Sequence, residues 1–97
     1  MVSFTSINPS TGGIIAEHRS HSAQEVARAV RDTGRAQQAW ASTGMAHRSI
    51  ALRCLGAALR DQARSLAELM AVEMGKPLNQ GIAEVAKCAW VCDYYAE

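Results

Sequence analysis

The chain has 97 residues, of which 48% are hydrophobic, 20% charged and only 5% aromatic, so it can hold at most one ordinary domain. Ten lysines and arginines against nine aspartates and glutamates leave a formal charge of +1, which argues against a nucleic-acid or anionic-membrane partner. With no apolar run of about 18 to 20 residues, no signal-peptide pattern and an odd number of cysteines, the sequence predicts a cytoplasmic protein with reduced thiols.

The first predicted element is a β-hairpin over about residues 4–19. Phe4 and Ile7 precede the segment Asn8-Pro9-Ser10-Thr11-Gly12-Gly13, and Ile14, Ile15 and Ala16 follow it. Asn and Pro favour the end of a strand, and we expect the glycine pair to supply the positive φ angles of a reversal. The six-residue connection leaves the turn type open.

Three helices are predicted next, at about residues 22–41, 46–74 and 77–97. Ser22-Ala23-Gln24-Glu25 matches a capping box, which starts the first helix. The second is predicted as one rod of roughly 40 Å; Gly75 suits a left-handed C-terminal position, and Pro77 can occupy the first turn of the third helix. Three amphipathic helices with so few aromatic residues are expected to cover a surface supplied by something else. Each carries a stripe at three- and four-residue steps: Val26, Val30, Thr33, Gln37 and Trp40 in the first; Leu52, Leu55, Leu59, Ala63, Leu66 and Met70 in the second; Leu78, Ile82, Val85, Ala89 and Cys92 in the third.

The residues by themselves indicate no active site. Cys88 and Cys92 lie four apart on a helix and could be combined with His18, His21 or His47 into a metal or redox site. Zinc, however, needs three or four converging ligands, and a helical C-x-x-x-C in an apolar stripe is more typical of core packing. None of the cysteines, Cys54 included, has the helix N-terminus or adjacent cation that activates a thiol, and no glycine-rich phosphate loop follows a strand.

Several segments together resemble the N-terminal part of the NAD(P)-dependent aldehyde dehydrogenase superfamily. These are Asn8-Pro9-Ser10-Thr11-Gly12, Trp40, Glu73-Met74-Gly75-Lys76-Pro77-Leu78, Glu84-Val85-Ala86-Lys87 and Tyr94-Tyr95-Ala96-Glu97. Asn79-Gln80, Ala83 and Cys92-Asp93 make the chain most similar to the succinate-semialdehyde dehydrogenase group. The resemblance covers essentially the whole chain but only the first part of such an enzyme, so we expect an incomplete domain cut inside its third helix.

The resemblance implies a mainly α fold with an N-terminal β-hairpin, forming part of the α/β (Rossmann-like) cofactor-binding domain. In that family a cysteine attacks the aldehyde, hydride passes to the nicotinamide, and a glutamate activates the water that releases the acid. The motifs for these steps and the cofactor glycines lie in later sequence. We therefore expect no catalytic, cofactor-binding or metal-binding residue in this segment, while the longer enzyme, called here the parent enzyme, uses NAD or NADP.

The resemblance also suggests one role near the substrate, because the third helix of the family runs beside the substrate entrance. If the stripe of that helix is buried, the flank with Lys87, Trp90, Val91 and Tyr94 could face the tunnel. The expected partners are the rest of the dehydrogenase polypeptide and, for the parent, further copies of itself in a homo-oligomer. A different interpretation is a stand-alone helical interaction module without catalytic activity.

Overall fold

A computed structural model describes residues 2–97 as a two-stranded antiparallel hairpin followed by four helices. The strands are β1 (Ser3–Ile7) and β2 (Ile14–Arg19), and the helices are α1 (Ala23–Ala41), α2 (Met45–Asp61), α3 (Ala63–Met74) and α4 (Leu78–Ala96). The mainly α fold with an N-terminal hairpin is thus confirmed. None of the described helices is long and apolar enough to span a bilayer.

The hairpin pairs Ser3 with Arg19 and Ser6 with Ala16, and its register shifts between Ser6 and Ile7. Its turn is closed by a hydrogen bond from the Asn8 amide to the Gly13 carbonyl, at 2.8 Å. Only one glycine of the pair has a positive φ, since Gly12 is at 76° while Gly13 is not in that region. The expectation that both glycines supply positive φ was therefore wrong.

Helix α1 begins with the predicted capping box. The Ser22 Oγ accepts from the Glu25 amide at 3.2 Å, and a Glu25 carboxylate oxygen accepts from the Ser22 amide at 2.7 Å. The C-terminal end of α1 is also capped by a neighbouring residue, because the Thr43 hydroxyl donates to the Trp40 carbonyl. No residue of α1 is buried, so its stripe has no covering surface within residues 2–97.

The long helix predicted over 46–74 is two helices, which corrects the expectation of one rod. Gln62 leaves the helical region, with φ −105° and ψ 13°, and its carbonyl accepts from the Leu66 amide to start α3. The bend lets α2 and α3 both pack on α4 although they contact each other little. No proline or glycine marks this position, so the apolar periodicity runs through the bend without a signal.

A sharp corner joins α3 to α4. Gly75 is left-handed, with φ 75°, and its amide donates to the Ala71 carbonyl, as predicted for a helix C-terminus. Pro77 is the N-cap of α4 rather than its first helical residue, a difference of one position. The molecule measures 48 × 39 × 14 Å. Because a helix with its side chains is about 10 to 12 Å across, the molecule is about one helix thick in its thinnest direction.

Candidate functional site

Helix α4 holds all the residues proposed to face a substrate, so its placement determines the candidate site. Its buried side consists of Gly81, Val85, Ala89, Cys92 and Ala96. Three positions of the expected stripe, Val85, Ala89 and Cys92, are buried, and Leu78 and Ile82 are partly buried. The opposite flank is left exposed, which is the arrangement that the spacing of the stripe predicts.

Small residues bring α4 close to α2 and α3. A Cβ placed on Gly81 would lie 3.0 Å from the Ala67 Cβ of α3, and one on Gly56 of α2 would lie 3.4 Å from the Ala89 carbonyl oxygen. Ala67 and Ala89 are completely buried. Packing of this kind restricts the position of α4 along its axis and its rotation about that axis, relative to α2 and α3. A larger side chain at either glycine would separate the helices.

Two ion pairs act beside this packing. Arg60 of α2 pairs with Asp93 of α4, and the hydrogen bond and charge of Asp93 raise the pKa of the Arg60 guanidinium. Lys76, at the corner, lies 2.6 Å from a Glu84 carboxylate oxygen, and this hydrogen bond and charge lower the pKa of Glu84. Both pairs connect α4 to other parts of the chain. Because both pairs are partly exposed to water, each contributes little to the free energy of unfolding. Their contribution is to the orientation of α4.

The exposed flank of α4 carries an apolar cavity of about 310 Å³ lined by Trp90, Val91, Tyr94 and Tyr95, which we call the aromatic flank. Trp90, Tyr94 and Tyr95 are each about two thirds or more exposed. The two tyrosine rings meet edge to face, with centroids 5.1 Å apart and planes at 85°. Exposed aromatic rings around an apolar cavity suit either an apolar ligand or a covering protein surface.

The structure brings three of the four predicted residues together and leaves the fourth outside. Trp90, Val91 and Tyr94 line the cavity, whereas Lys87 does not. Lys87 is exposed one turn before Val91, and its charge acts on Glu84. Tyr95, which is not one of the four residues predicted for the flank, completes the lining, because its position four residues after Val91 places both on one face of the helix.

A second cavity of about 270 Å³ lies where the end of α1 meets α2 and α4. Its lining residues are Trp40, Met45, Arg48, Ser49, Leu52 and Tyr95, and we call it the Arg48 cavity. Trp40 makes an edge-to-face contact with His47, with centroids 5.9 Å apart. Tyr95 borders both cavities, so they are neighbours on one surface.

The cysteines do not converge. Cys92 is buried in the packed side of α4, which confirms core packing for it, but Cys88 and Cys54 are exposed, so the same interpretation was wrong for Cys88. Among residues 2–97 no group of three or more His, Cys, Asp or Glu side chains is placed to hold a metal ion.

The glycine pair of the hairpin does not form a phosphate cradle. Gly12 and Gly13 belong to a turn between two antiparallel strands, and no helix begins there. A phosphate cradle instead places a glycine turn directly before a helix N-terminus.

Comparison with known proteins gives a consistent result over nearly the whole chain. The sequence profile of the Aldehyde dehydrogenase family matches residues 2–97. The chain is 39% identical over 92 residues to succinate semialdehyde dehydrogenase (NAD(P)+) of Escherichia coli (strain K12), covering 95% of the chain and 20% of that protein. It is 38% identical to N-succinylglutamate 5-semialdehyde dehydrogenase of Paraburkholderia xenovorans, covering 89% of the chain and 18% of that protein.

Solved structures agree with the sequence matches. An NAD-dependent benzaldehyde dehydrogenase from Corynebacterium glutamicum superposes with a TM-score of 0.93 at 25% identity, covering 98% of the chain and 21% of that structure. A putative aldehyde dehydrogenase from Burkholderia cenocepacia gives a TM-score of 0.87 at 31% identity, covering 98% of the chain and 20% of that structure. The chain spans about one fifth of the length of the curated relatives that it matches.

Proposed function

Because the chain belongs to the aldehyde dehydrogenase family, we propose that it is the N-terminal part of an enzyme that oxidises an aldehyde to the carboxylic acid with NAD or NADP. The observation that carries this proposal is the family match, which runs from residue 2 to residue 97. The glycine turn of the hairpin leads into a strand and not into a helix N-terminus, and we assign cofactor binding and the chemical step to the rest of the parent polypeptide.

The proposed substrate is succinate semialdehyde. The relative in Escherichia coli carries that substrate in its name, and so does a probable succinate-semialdehyde dehydrogenase (NADP(+)) of Synechocystis that is 35% identical over 96 residues. Both similarities support the subgroup that the segments around Glu73 and Tyr94 resemble. The free thiols of Cys54, Cys88 and Cys92 suit a reducing compartment, and we place the parent enzyme in the cytoplasm as a homo-oligomer.

Within that enzyme, we assign to this chain a scaffold role and one wall of the substrate entrance. The wall is the aromatic flank, whose rings are exposed in this chain and enclose an apolar cavity. Lys87 stands one turn away as an exposed cation. A cation at that distance from an apolar wall suits an aldehyde that carries a carboxylate at its other end.

The wall is tested in the full-length enzyme by steady-state kinetics of Trp90→Ala with succinate semialdehyde and with acetaldehyde. We expect kcat/KM for the semialdehyde to fall about tenfold, equivalent to about 1.4 kcal/mol of transition-state stabilisation. Lys87→Ala should raise KM for the semialdehyde and leave acetaldehyde unaffected. Met74→Ala, at an exposed position on α3, is the control. Unchanged kinetics in both α4 variants would refute the assignment of the aromatic flank to the substrate entrance.

The assignment of the chemistry elsewhere is tested on the purified chain, which should neither bind NAD nor reduce it in the presence of aldehyde. Turnover by the chain alone would contradict this assignment. The alternative of a stand-alone interaction module predicts a stable chain that co-purifies with a full-length dehydrogenase subunit. No turnover, together with an open reading frame that continues past residue 97, would favour the enzyme over the module.

A further inference from the structure

The Arg48 cavity contains a cation without a matching anion. Arg48 lies in the first turn of α2 and is partly buried, and its Nε is fully buried with no hydrogen-bond partner. Within residues 2–97, the one side-chain hydrogen bond that the guanidinium makes is from Nη2 to the Met45 Sδ, at 2.9 Å. A thioether is a weak acceptor. Within residues 2–97, none of the ion pairs includes Arg48.

The surroundings add to the positive potential. The N-terminus of α2 has Gly44 as its cap, with no side-chain hydrogen bond, and there is no acidic residue in its first turn. Its free backbone amides therefore carry the positive end of the helix dipole toward the same region. The rest of the lining is mostly apolar or aromatic, from Trp40, Met45, Leu52 and Tyr95, and Ser49 adds a hydroxyl. A segment that covers these walls would exclude water and so strengthen the attraction between the guanidinium and an anion.

We infer that the Arg48 cavity seats a carboxylate side chain from a part of the parent polypeptide outside residues 1–97. Two observations select this occupant. The chain itself encloses the Nε, so an acceptor from outside must approach the terminal nitrogens of the guanidinium, and a carboxylate can accept from them in a bidentate way. The relatives are about five times as long as this chain, so most of the surface that could supply the acceptor lies outside it.

The inferred ion pair adjoins the candidate site through Tyr95, which lines both cavities. A segment docked on Arg48 covers one side of Tyr95 and leaves the side that faces Trp90 and Tyr94. The inference rests on family membership and not on the identity of the substrate, so it stands or falls separately from the kinetics of the aromatic flank.

A crystal structure of the full-length enzyme gives the direct test. We expect a carboxylate oxygen from outside residues 1–97 of the same subunit within about 3.2 Å of the Arg48 Nη1. Water alone, an apolar side chain, or a carboxylate from a second subunit at this position would overturn the inference, the last by making the cavity a contact between copies.

Thermal unfolding of the full-length enzyme gives a second test. Arg48→Met should lower Tm by about 5 °C, because the docked carboxylate loses its partner, and Arg48→Lys should recover part of that loss. Replacing the contacting carboxylate by its amide should lower Tm similarly, and the double variant should be no worse than either single variant. The control is Arg35→Met, since Arg35 pairs only with Asp32 on its own helix. Additive effects in the double variant would contradict the pairing.

Discussion

Two parts of the molecule differ in how far their apolar residues are buried. One is the layer formed by α2, α3 and α4, and the other is the arm formed by the hairpin and α1. The layer has a core, in which Ala67, Val85, Ala89, Cys92 and Ala96 are buried. In the arm, α1 buries no residue, and the exposed apolar side chains include Phe4, Ile14, Val26 and Val30. The capping box and the turn hydrogen bonds give the arm its shape, whereas contacts between helices give the layer its shape.

This difference shows what an amphipathic pattern can and cannot establish. The stripe from Val26 to Trp40 identifies the apolar face of α1 but not the surface that covers it. In the layer, the close approaches at Gly81 and Gly56 involve Ala67 and Ala89, and such small residues contribute little to an apolar pattern. Helices with few large side chains can still pack tightly when their backbones approach closely.

The largest expected loss of unfolding free energy comes from a substitution that separates two helices of the layer. Gly81→Val places a Cβ 3.0 Å from the Ala67 Cβ and 3.1 Å from its Cα, so α3 and α4 must separate. We expect the full-length enzyme to lose about 3 kcal/mol of unfolding free energy, measured by urea denaturation. Gly34→Val is the matched change in the arm, where a Cβ meets nothing within 4 Å. It should change stability by less than about 0.5 kcal/mol, in the stabilising direction. Similar values for the two variants would remove the contrast between layer and arm.

The arm should respond instead to changes at its helix ends. Ser22→Ala removes the oxygen that accepts from the Glu25 amide at 3.2 Å, which should cost about 1 kcal/mol. Hydrogen exchange should show the loss in the first turn of α1. Ser42→Ala is the control, since that hydroxyl donates to the Ala39 carbonyl at the other end of the helix. Equal protection in the first turn of the wild type and Ser22→Ala would show that packing, not the cap, holds α1.

Local signals allowed much of the fold to be predicted, and features set by contacts between elements were missed. The capping box at Ser22 and the left-handed Gly75 each depend on a few neighbouring residues and were predicted correctly. The bend at Gln62 was missed because it arises where two helices pack on α4, and no residue there breaks a helix. The surface that covers the α1 stripe could not be predicted, because amphipathicity does not name a partner.

The candidate site divides in the same way. Helical spacing placed Trp90, Val91 and Tyr94 on one exposed flank, and the structure has them around one cavity. Lys87 lies outside the lining, and Tyr95 lies in it. The Arg48 cavity could not be predicted, because it is formed by residues from three helices and its main feature is a missing hydrogen-bond partner.

A smaller effect is expected for the ion pair that connects α2 to α4. Asp93→Asn removes the charge facing Arg60. Because both side chains are about half exposed, a double-mutant cycle with Arg60→Gln should give a coupling of only about 0.5 kcal/mol. The pair Arg64 and Glu68, within α3, offers the matched cycle. A coupling several times larger for Arg60 and Asp93 would mean that charge, and not the approach of small residues, holds the layer together.

The smallest effect is confined to the arm and depends on pH. The hydrogen bond from Arg19, followed by that from the Ser22 backbone, lowers the pKa of Glu25 from 4.5 to about 2. Because the folded value lies below the ordinary one, the ionised carboxylate stabilises the start of α1 above about pH 4.5, and this contribution is lost as the pH falls toward 2. Carbon-13 NMR of the Glu25 carboxyl should follow the titration, and Arg19→Ala should move its midpoint back toward 4.5. Glu25→Gln should remove the same pH dependence from hydrogen exchange in the first turn of α1. A midpoint near 4.5 in the wild type would mean that neither Arg19 nor the Ser22 amide pairs with the Glu25 carboxylate in solution, and the start of α1 would then depend on the Ser22 hydroxyl alone.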